Sequence, residues 1–184
     1  MSARGKLFVI SGPSGVGKGT LVGMLKGADD VWVSVSATTR APREGEVDGR
    51  EYFFMSREAF LAKADAGGFI EWAEYSGNCY GTPADKVEDE LRAGRDVVLE
   101  IEVQGALQVK ERLPEAVLIF IEPPSLEELE ARLRGRGTET EEAIARRLET
   151  ARVELNEKMK YDYTLVNDDV DEAFRALRDC MASA

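Results

Sequence analysis

Leu7-Phe8-Val9-Ile10-Ser11-Gly12-Pro13-Ser14-Gly15-Val16-Gly17-Lys18-Gly19-Thr20 is the stretch on which the fold turns. Its apolar opening reads as a buried strand, and a helical pattern runs from about Lys18 to Lys26. Between them, Gly12 to Lys18 fits G-x-x-x-x-G-K, in the strand-to-helix setting that gives this motif its meaning. Glycines let such a loop curl until successive backbone N–H groups face phosphate oxygens. The helix N-terminus adds its dipole, and Lys18 reaches the outer phosphates. Nucleotide phosphate binding by Gly12, Pro13, Ser14, Gly15, Val16, Gly17, Lys18, Gly19 and Thr20 is expected. Gly19 stands where Ser or Thr commonly holds Mg²⁺, so Thr20, one position on, is the candidate donor.

Outward from this loop the chain alternates. Val31 to Ser36, Asp96 to Ile101, Ala116 to Ile121 and Thr164 to Val166 read as further strands. Helices are expected from Pro83 to Ala93-Gly94, from the Ser125 capping box to about Arg134, from about Thr140 to Lys158, and from Asp169 to Met181. Such alternation predicts an α/β protein with a mostly parallel sheet covered by helices on both faces. From Ala37 to Thr82 the texture changes. Short β-like pieces at Glu51 to Met55 and Phe69 to Trp72 flank a helix from about Arg57 to Ala66, N-capped by Ser56, as in a small inserted lobe. Trp32, Phe53, Phe54, Phe60, Phe69 and Trp72 are read as packing residues, and Phe8 and Phe120 as core.

Composition excludes much. The 184 residues carry 24 Lys+Arg against 35 Asp+Glu, a net charge of −11, which repels nucleic-acid backbones and anionic membranes at long range. There is no histidine, so Ser-His-Asp and Cys-His catalysis and HExxH zinc sites are out of reach. Cys79 and Cys180 lie far apart and read as reduced thiols. The apolar stretch Leu7 to Ile10 is too short for a signal peptide, and nothing resembles a membrane span. A soluble cytoplasmic protein with no nucleic-acid or membrane partner is expected.

Two further constellations carry chemistry. Arg40 and Arg43 lie three apart in the Pro/Gly-rich segment Ser34 to Tyr52, which suits a clamp on a phosphate monoester: the planar guanidinium fork matches phosphate oxygens, and a tyrosine adds a neutral donor. The run Asp96-Val97-Val98-Leu99-Glu100-Ile101-Glu102 ends in two acids, which period-two geometry would place on one face at the ligand-binding end of the sheet.

Gly12 to Thr20, Ser34 to Tyr52, Ile70 to Thr82, Arg134 to Glu141 and the tail Val166-Asn167-Asp168-Asp169 together resemble guanylate kinase, in order and over nearly the whole chain. The resemblance implies a P-loop kinase fold with a core (about 1–36, 83–131 and 160–184), an inserted mixed α+β GMP-binding lobe (about 37–82) and a helical lid (about 132–159). It implies Mg²⁺-dependent transfer of the ATP γ-phosphoryl group to GMP, with dGMP as a further acceptor and no obligatory protein partner. Arg40, Arg43, Tyr52 and Tyr80 match the positions that hold the GMP phosphate. Glu71 matches the guanine reader, with Ser36 and Thr82 beside the base and Glu102 as a second contacting acid. Arg132, Arg136 and Arg147 match arginines around the ATP phosphates, and Asn167 a position near the adenine. Glu100 is placed near the metal, through water. The family often has aspartate at 100 and 102. Lys18, Arg40, Arg43, Arg136 and Arg147 form the expected catalytic set. Two rivals are a guanylate-kinase-like module that binds phosphopeptides without catalysis, and a kinase of another monophosphate.

Overall fold

All five side chains of β1 (Leu7–Ser11) are buried, because this strand is flanked on both edges and covered on both faces. A computed structural model describes residues 3–184. In it, β1 pairs in parallel with β7 (Asp96–Glu100) and with β8 (Val117–Glu122). β2 (Val31–Val33) and β9 (Tyr163–Val166) extend the sheet to a five-stranded parallel order β2-β7-β1-β8-β9. Helices α1 (Lys18–Leu25) and α7 (Val170–Ser183) cover one face through Leu21, Val22, Leu25, Leu177 and Met181. The other face is covered by α3 (Ala84–Arg92) and α4 (Val103–Arg112), through Val87, Leu91, Val103, Ala106 and Val109.

A second, four-stranded sheet, in the order β4 (Phe53–Phe54), β3 (Ala37–Thr38), β6 (Asn78–Pro83) and β5 (Phe69–Tyr75), is separate from the first. In it, β3 is parallel to β4 and antiparallel to β6. Helix α2 (Arg57–Asp65) packs on it through Phe60, which stacks on Phe69 with ring centroids 4.3 Å apart. Ala37, Phe60, Phe69 and Cys79 form its own small core. A separate hairpin of α5 (Leu126–Gly135) and α6 (Glu141–Asn156) closes on Leu129, Leu133, Ile144, Leu148 and Ala151. The side-chain caps fall where their residue types put them. Ser56, Ser125 and Thr140 each accept from the third residue on, and the Asp169 carboxylate accepts from Asp171 and Glu172.

Three expectations are corrected. The strand read over Val31 to Ser36 stops at Val33, because the chain leaves the parallel sheet there to enter β3; Ser34 keeps one bond, donating its N–H to the Val98 carbonyl. The strand read through Glu102 ends at Glu100, and Glu102 is the N-cap of α4, a helix the pattern around Gly105 had concealed. Trp72 is 37% exposed, covered on one side by an edge contact with Phe60. Both cysteines are free thiols. Among the described residues no helix is long and apolar enough to cross a membrane.

Phe60→Ala is expected to destabilise the small sheet by about 3–5 kcal/mol. Denaturant melts should show loss of the second core while the parallel sheet persists. A single transition with unchanged midpoint would contradict the division into separate cores.

Candidate functional site

β1 delivers the chain to Gly12, whose α-carbon is pressed so close to β8 that a Cβ would lie 2.2 Å from the Ile121 carbonyl oxygen. The loop ends at Gly17, the N-cap of α1, with φ of 95°, a left-handed conformation that L side chains rarely adopt. Lys18 turns its ammonium back to the Gly12 carbonyl. Burial pushes the Lys18 pKa down, and the carboxylates of Glu100, Glu154 and Glu102 oppose that shift. A cavity of about 260 Å³ opens over the loop, lined by Pro13, Ser14, Gly15, Gly17, Lys18, Gly19 and Thr20, together with Glu100 and Arg136. Val16 is wholly buried beneath it. Asn167, 6% exposed, donates its side-chain amide to the Val16 carbonyl at 2.8 Å. That side chain braces the loop from below.

The α5–α6 hairpin settles which arginines face this cavity. Arg136 lines it, and Arg147 donates to the Ser14 hydroxyl at 2.7 Å while also pairing with Glu139. Arg134 is turned away, held between Glu130 and Glu141. Arg132 pairs with Glu128, one turn back on its own helix, and does not line the cavity.

A second cavity, about 440 Å³, lies between the two sheets. Ser36, Tyr52, Glu71, Tyr80, Glu100 and Glu102 all line it. The acids at 100 and 102 meet there by a route other than strand alternation: one ends β7 and the other opens α4. Glu100 lines both cavities, so the phosphate loop and the second pocket adjoin at one side chain. Tyr52 and Tyr80 meet edge to face with ring centroids 6.1 Å apart. Arg40 lies over the Tyr52 ring at 5.2 Å and pairs with Glu46 at 2.9 Å. Glu46 also accepts the Arg43 backbone N–H at 3.0 Å, so one carboxylate ties both arginine positions together. Arg40 and then that amide hold the Glu46 carboxyl below the usual range. The Arg43 side chain is exposed.

Glu71 sits at an irregularity in the β5–β6 ladder. Phe69 is paired with Pro83 and Trp72 with Gly81, which leaves Ile70 and Glu71 opposite Thr82 alone. Two residues against one is a β-bulge, a device that re-aims a side chain. Thr82, 1% exposed, does not line the pocket; its hydroxyl donates to Glu71 Oε1 at 2.8 Å. Burial raises the Glu71 pKa, Thr82 works against that, Glu102 adds to it, and Arg112 opposes it.

Sequence reasoning missed Glu46, Tyr75, Gln104 and Gln108. The two glutamines, one turn apart on α4, line the second cavity, and their i, i+4 spacing was the available signal. Glu46 carried none, being one acid in a polar loop. Among the described residues, no three His, Cys, Asp or Glu side chains converge as a metal site.

Residues 4–184 match the family described as guanylate kinase. A guanylate kinase of Synechococcus sp. (strain CC9902) is 56% identical over 178 residues, covering 96% of this chain and 95% of the relative. One from Halalkalibacterium halodurans is 56% identical over 171 residues, covering 92% and 84%. The crystal structure of guanylate kinase from Anaplasma phagocytophilum superposes with a TM-score of 0.77 at 36% identity, covering 99% of this chain and 87% of that one.

The raised Glu71 pKa has a stability consequence. The folded state holds this proton to higher pH than the unfolded chain does, so Glu71 subtracts stability as pH rises above the ordinary carboxylate value of about 4.3. Glu71→Gln should melt level with the parent at pH 4 and above it by a few degrees at pH 8. Equal melting temperatures at pH 8 would contradict the burial argument.

Proposed function

The chain belongs to the guanylate kinase family, nucleoside-monophosphate kinases that convert ATP and GMP to ADP and GDP, and on that premise we propose how its residues divide the reaction. The single observation that carries the division is the sharing of Glu100 by the two cavities, since in-line transfer needs donor and acceptor phosphates side by side. The loop amides from Gly12 to Thr20 and the Lys18 ammonium grip the outer phosphates of ATP. Arg40 and Arg43, with the hydroxyls of Tyr52 and Tyr80, hold the phosphate of GMP.

Glu71 reads the base. Guanine offers adjacent N1–H and N2–H donors, which one carboxylate accepts together, whereas adenine presents an acceptor at N1 and has no N2 amine. A buried acceptor left unpaired discriminates by orders of magnitude. Ser36 and Glu102 lie beside the base, and Thr82 holds Glu71 by its hydroxyl. Arg136 and Arg147 bring positive charge over the migrating phosphoryl group. Arg132 stands behind them on α5, and Asn167 keeps the loop in shape below the donor. The acceptor is a phosphate oxygen that is already anionic, so no side chain need remove a proton.

Mg²⁺ fits the loop mouth. The Thr20 hydroxyl and the Glu100 carboxylate are hard oxygen donors on the cavity wall, and Mg²⁺ commonly takes only one or two protein oxygens beside water and phosphate. When bound, it neutralises charge on the donor phosphates. Gly19 leaves room there: a Cβ would be 3.8 Å from the Glu100 carboxylate. The segments 37–82 and 132–159 act as acceptor lobe and lid on the core, and their closure keeps water from competing as acceptor. The substrates are dissolved nucleotides, and the setting is the cytoplasm.

A coupled ADP-release assay with ATP and Mg²⁺ tests the reading. GMP should exceed AMP, UMP and CMP by about 10⁴ in kcat/KM; comparable turnover with AMP would overturn the role of Glu71. Lys18→Ala and Arg40→Ala should each lower kcat/KM by about a hundredfold or more. Folded protein that binds GMP yet shows no turnover would favour the non-catalytic module.

A further inference from the structure

The bulge that aims Glu71 has a support outside the pocket. At a bulge the extra residue leaves the ladder locally disrupted, so its carbonyl seeks another partner. Arg112, the last residue of α4, supplies it: Nη1 donates to the Ile70 carbonyl at 2.7 Å and approaches that of Phe69 at 3.5 Å. The Ile70 carbonyl and the Glu71 N–H share one rigid peptide plane, so holding the first positions the Glu71 nitrogen and α-carbon and narrows the directions in which its side chain can leave. The same helix meets the other end of Glu71. At Gly105 a Cβ would lie 3.1 Å from Glu71 Oε2, so bare backbone lies beside the carboxylate. Helix α4 therefore confines Glu71 at two points, seven residues apart in sequence. The Arg112 charge adds a second effect. It opposes the rise in the Glu71 pKa that burial causes, which favours the ionised carboxylate.

We infer that Arg112 is a positioning residue for purine recognition: by holding the β5 bulge it aims the Glu71 carboxylate, and so sets the preference for a purine with both N1–H and N2–H donors. It does not line the pocket and touches no reacting group. The inference rests on the reading of Glu71 as the guanine acceptor. A carboxylate displaced by a few tenths of an ångström keeps one of its two bonds more easily than both. The loss should therefore fall on GMP more than on IMP, which lacks the N2 amine.

The test compares the full chain with Arg112→Met, Arg112→Lys and Glu71→Gln, measuring kcat and KM for GMP and IMP between pH 5 and pH 8, and KM for ATP. For Arg112→Met, KM for GMP should rise about tenfold, with saturating kcat within about twofold and KM for ATP unchanged. The GMP-over-IMP ratio in kcat/KM should fall, and the pH at which GMP binding strengthens should move upward. Arg112→Lys should fall between parent and Met. Parental KM for GMP and parental GMP-over-IMP ratio in Arg112→Met would overturn the inference. So would an equal loss toward both acceptors and ATP, the mark of a merely structural role. If Arg112→Met does not fold, Arg112→Lys decides by the same two readouts. A Glu71→Gln variant that keeps GMP preference removes the premise; one that loses it while the Arg112 variants do not removes only the role of Arg112.

Discussion

A loop that offers its N–H groups to phosphate cannot satisfy or support itself, and the architecture here depends on how that loop is held. Three segments distant in sequence hold it, two at its backbone and one at a side chain. Gly12 lies on the β8 carbonyl at Ile121, Val16 is buried with its own carbonyl taken by Asn167, and Arg147 from α6 reaches Ser14. A parallel sheet makes this possible, because β1 lies at its centre and both neighbours end at the same edge. The loop is braced from outside itself, and Gly12 and Gly17 permit the close approaches that brace it.

Charge is distributed on the same plan. A chain with a net charge of −11 must still present cations to two sets of phosphates, and it does so locally. Arg40 is paired with Glu46, Arg147 with Glu139, and Lys18 is surrounded by Glu100, Glu154 and Glu102. The acids orient Arg40 and Arg147 by direct pairing, whereas Lys18 is held by the Gly12 carbonyl and its acids offset part of the cost of its burial. Glu100 lines both cavities, so one acidic residue is common to them.

The pocket around Glu71, the proposed guanine site, relies on backbone geometry more than on charge. A strand in regular register would alternate Ile70 and Glu71 across the two faces opposite separate partners. The bulge instead puts both against Thr82, whose buried hydroxyl holds the carboxylate. The proposed reading of a base by one carboxylate would demand such exactness, since its discrimination would come from two parallel hydrogen bonds. The bare backbone of Gly105 leaves space for that carboxylate.

Local signals were enough for the sequence to determine the glycine-rich loop, the strand–helix alternation and the helix starts at Ser56, Ser125, Thr140 and Asp169, because each depends on residues close together in the chain. Arg40 and Arg43 were legible as an arginine pair near Tyr52, and Glu71 and Tyr80 only through the family resemblance. Glu102 and Glu100 were legible as a pair, but not as a strand end and a helix cap, since the apolar pattern continues through Ile101 without a break. Only the tertiary structure decided that Arg136 and Arg147 face the loop while Arg134 turns to Glu130 and Glu141. It likewise decided that Asn167 lies under Val16, that Glu46 holds Arg40, and that the bulge pairs Glu71 with Thr82. Those outcomes depend on which side chains meet across the fold. Neighbouring arginines on one helix have the same chemistry, and only packing against distant elements tells them apart.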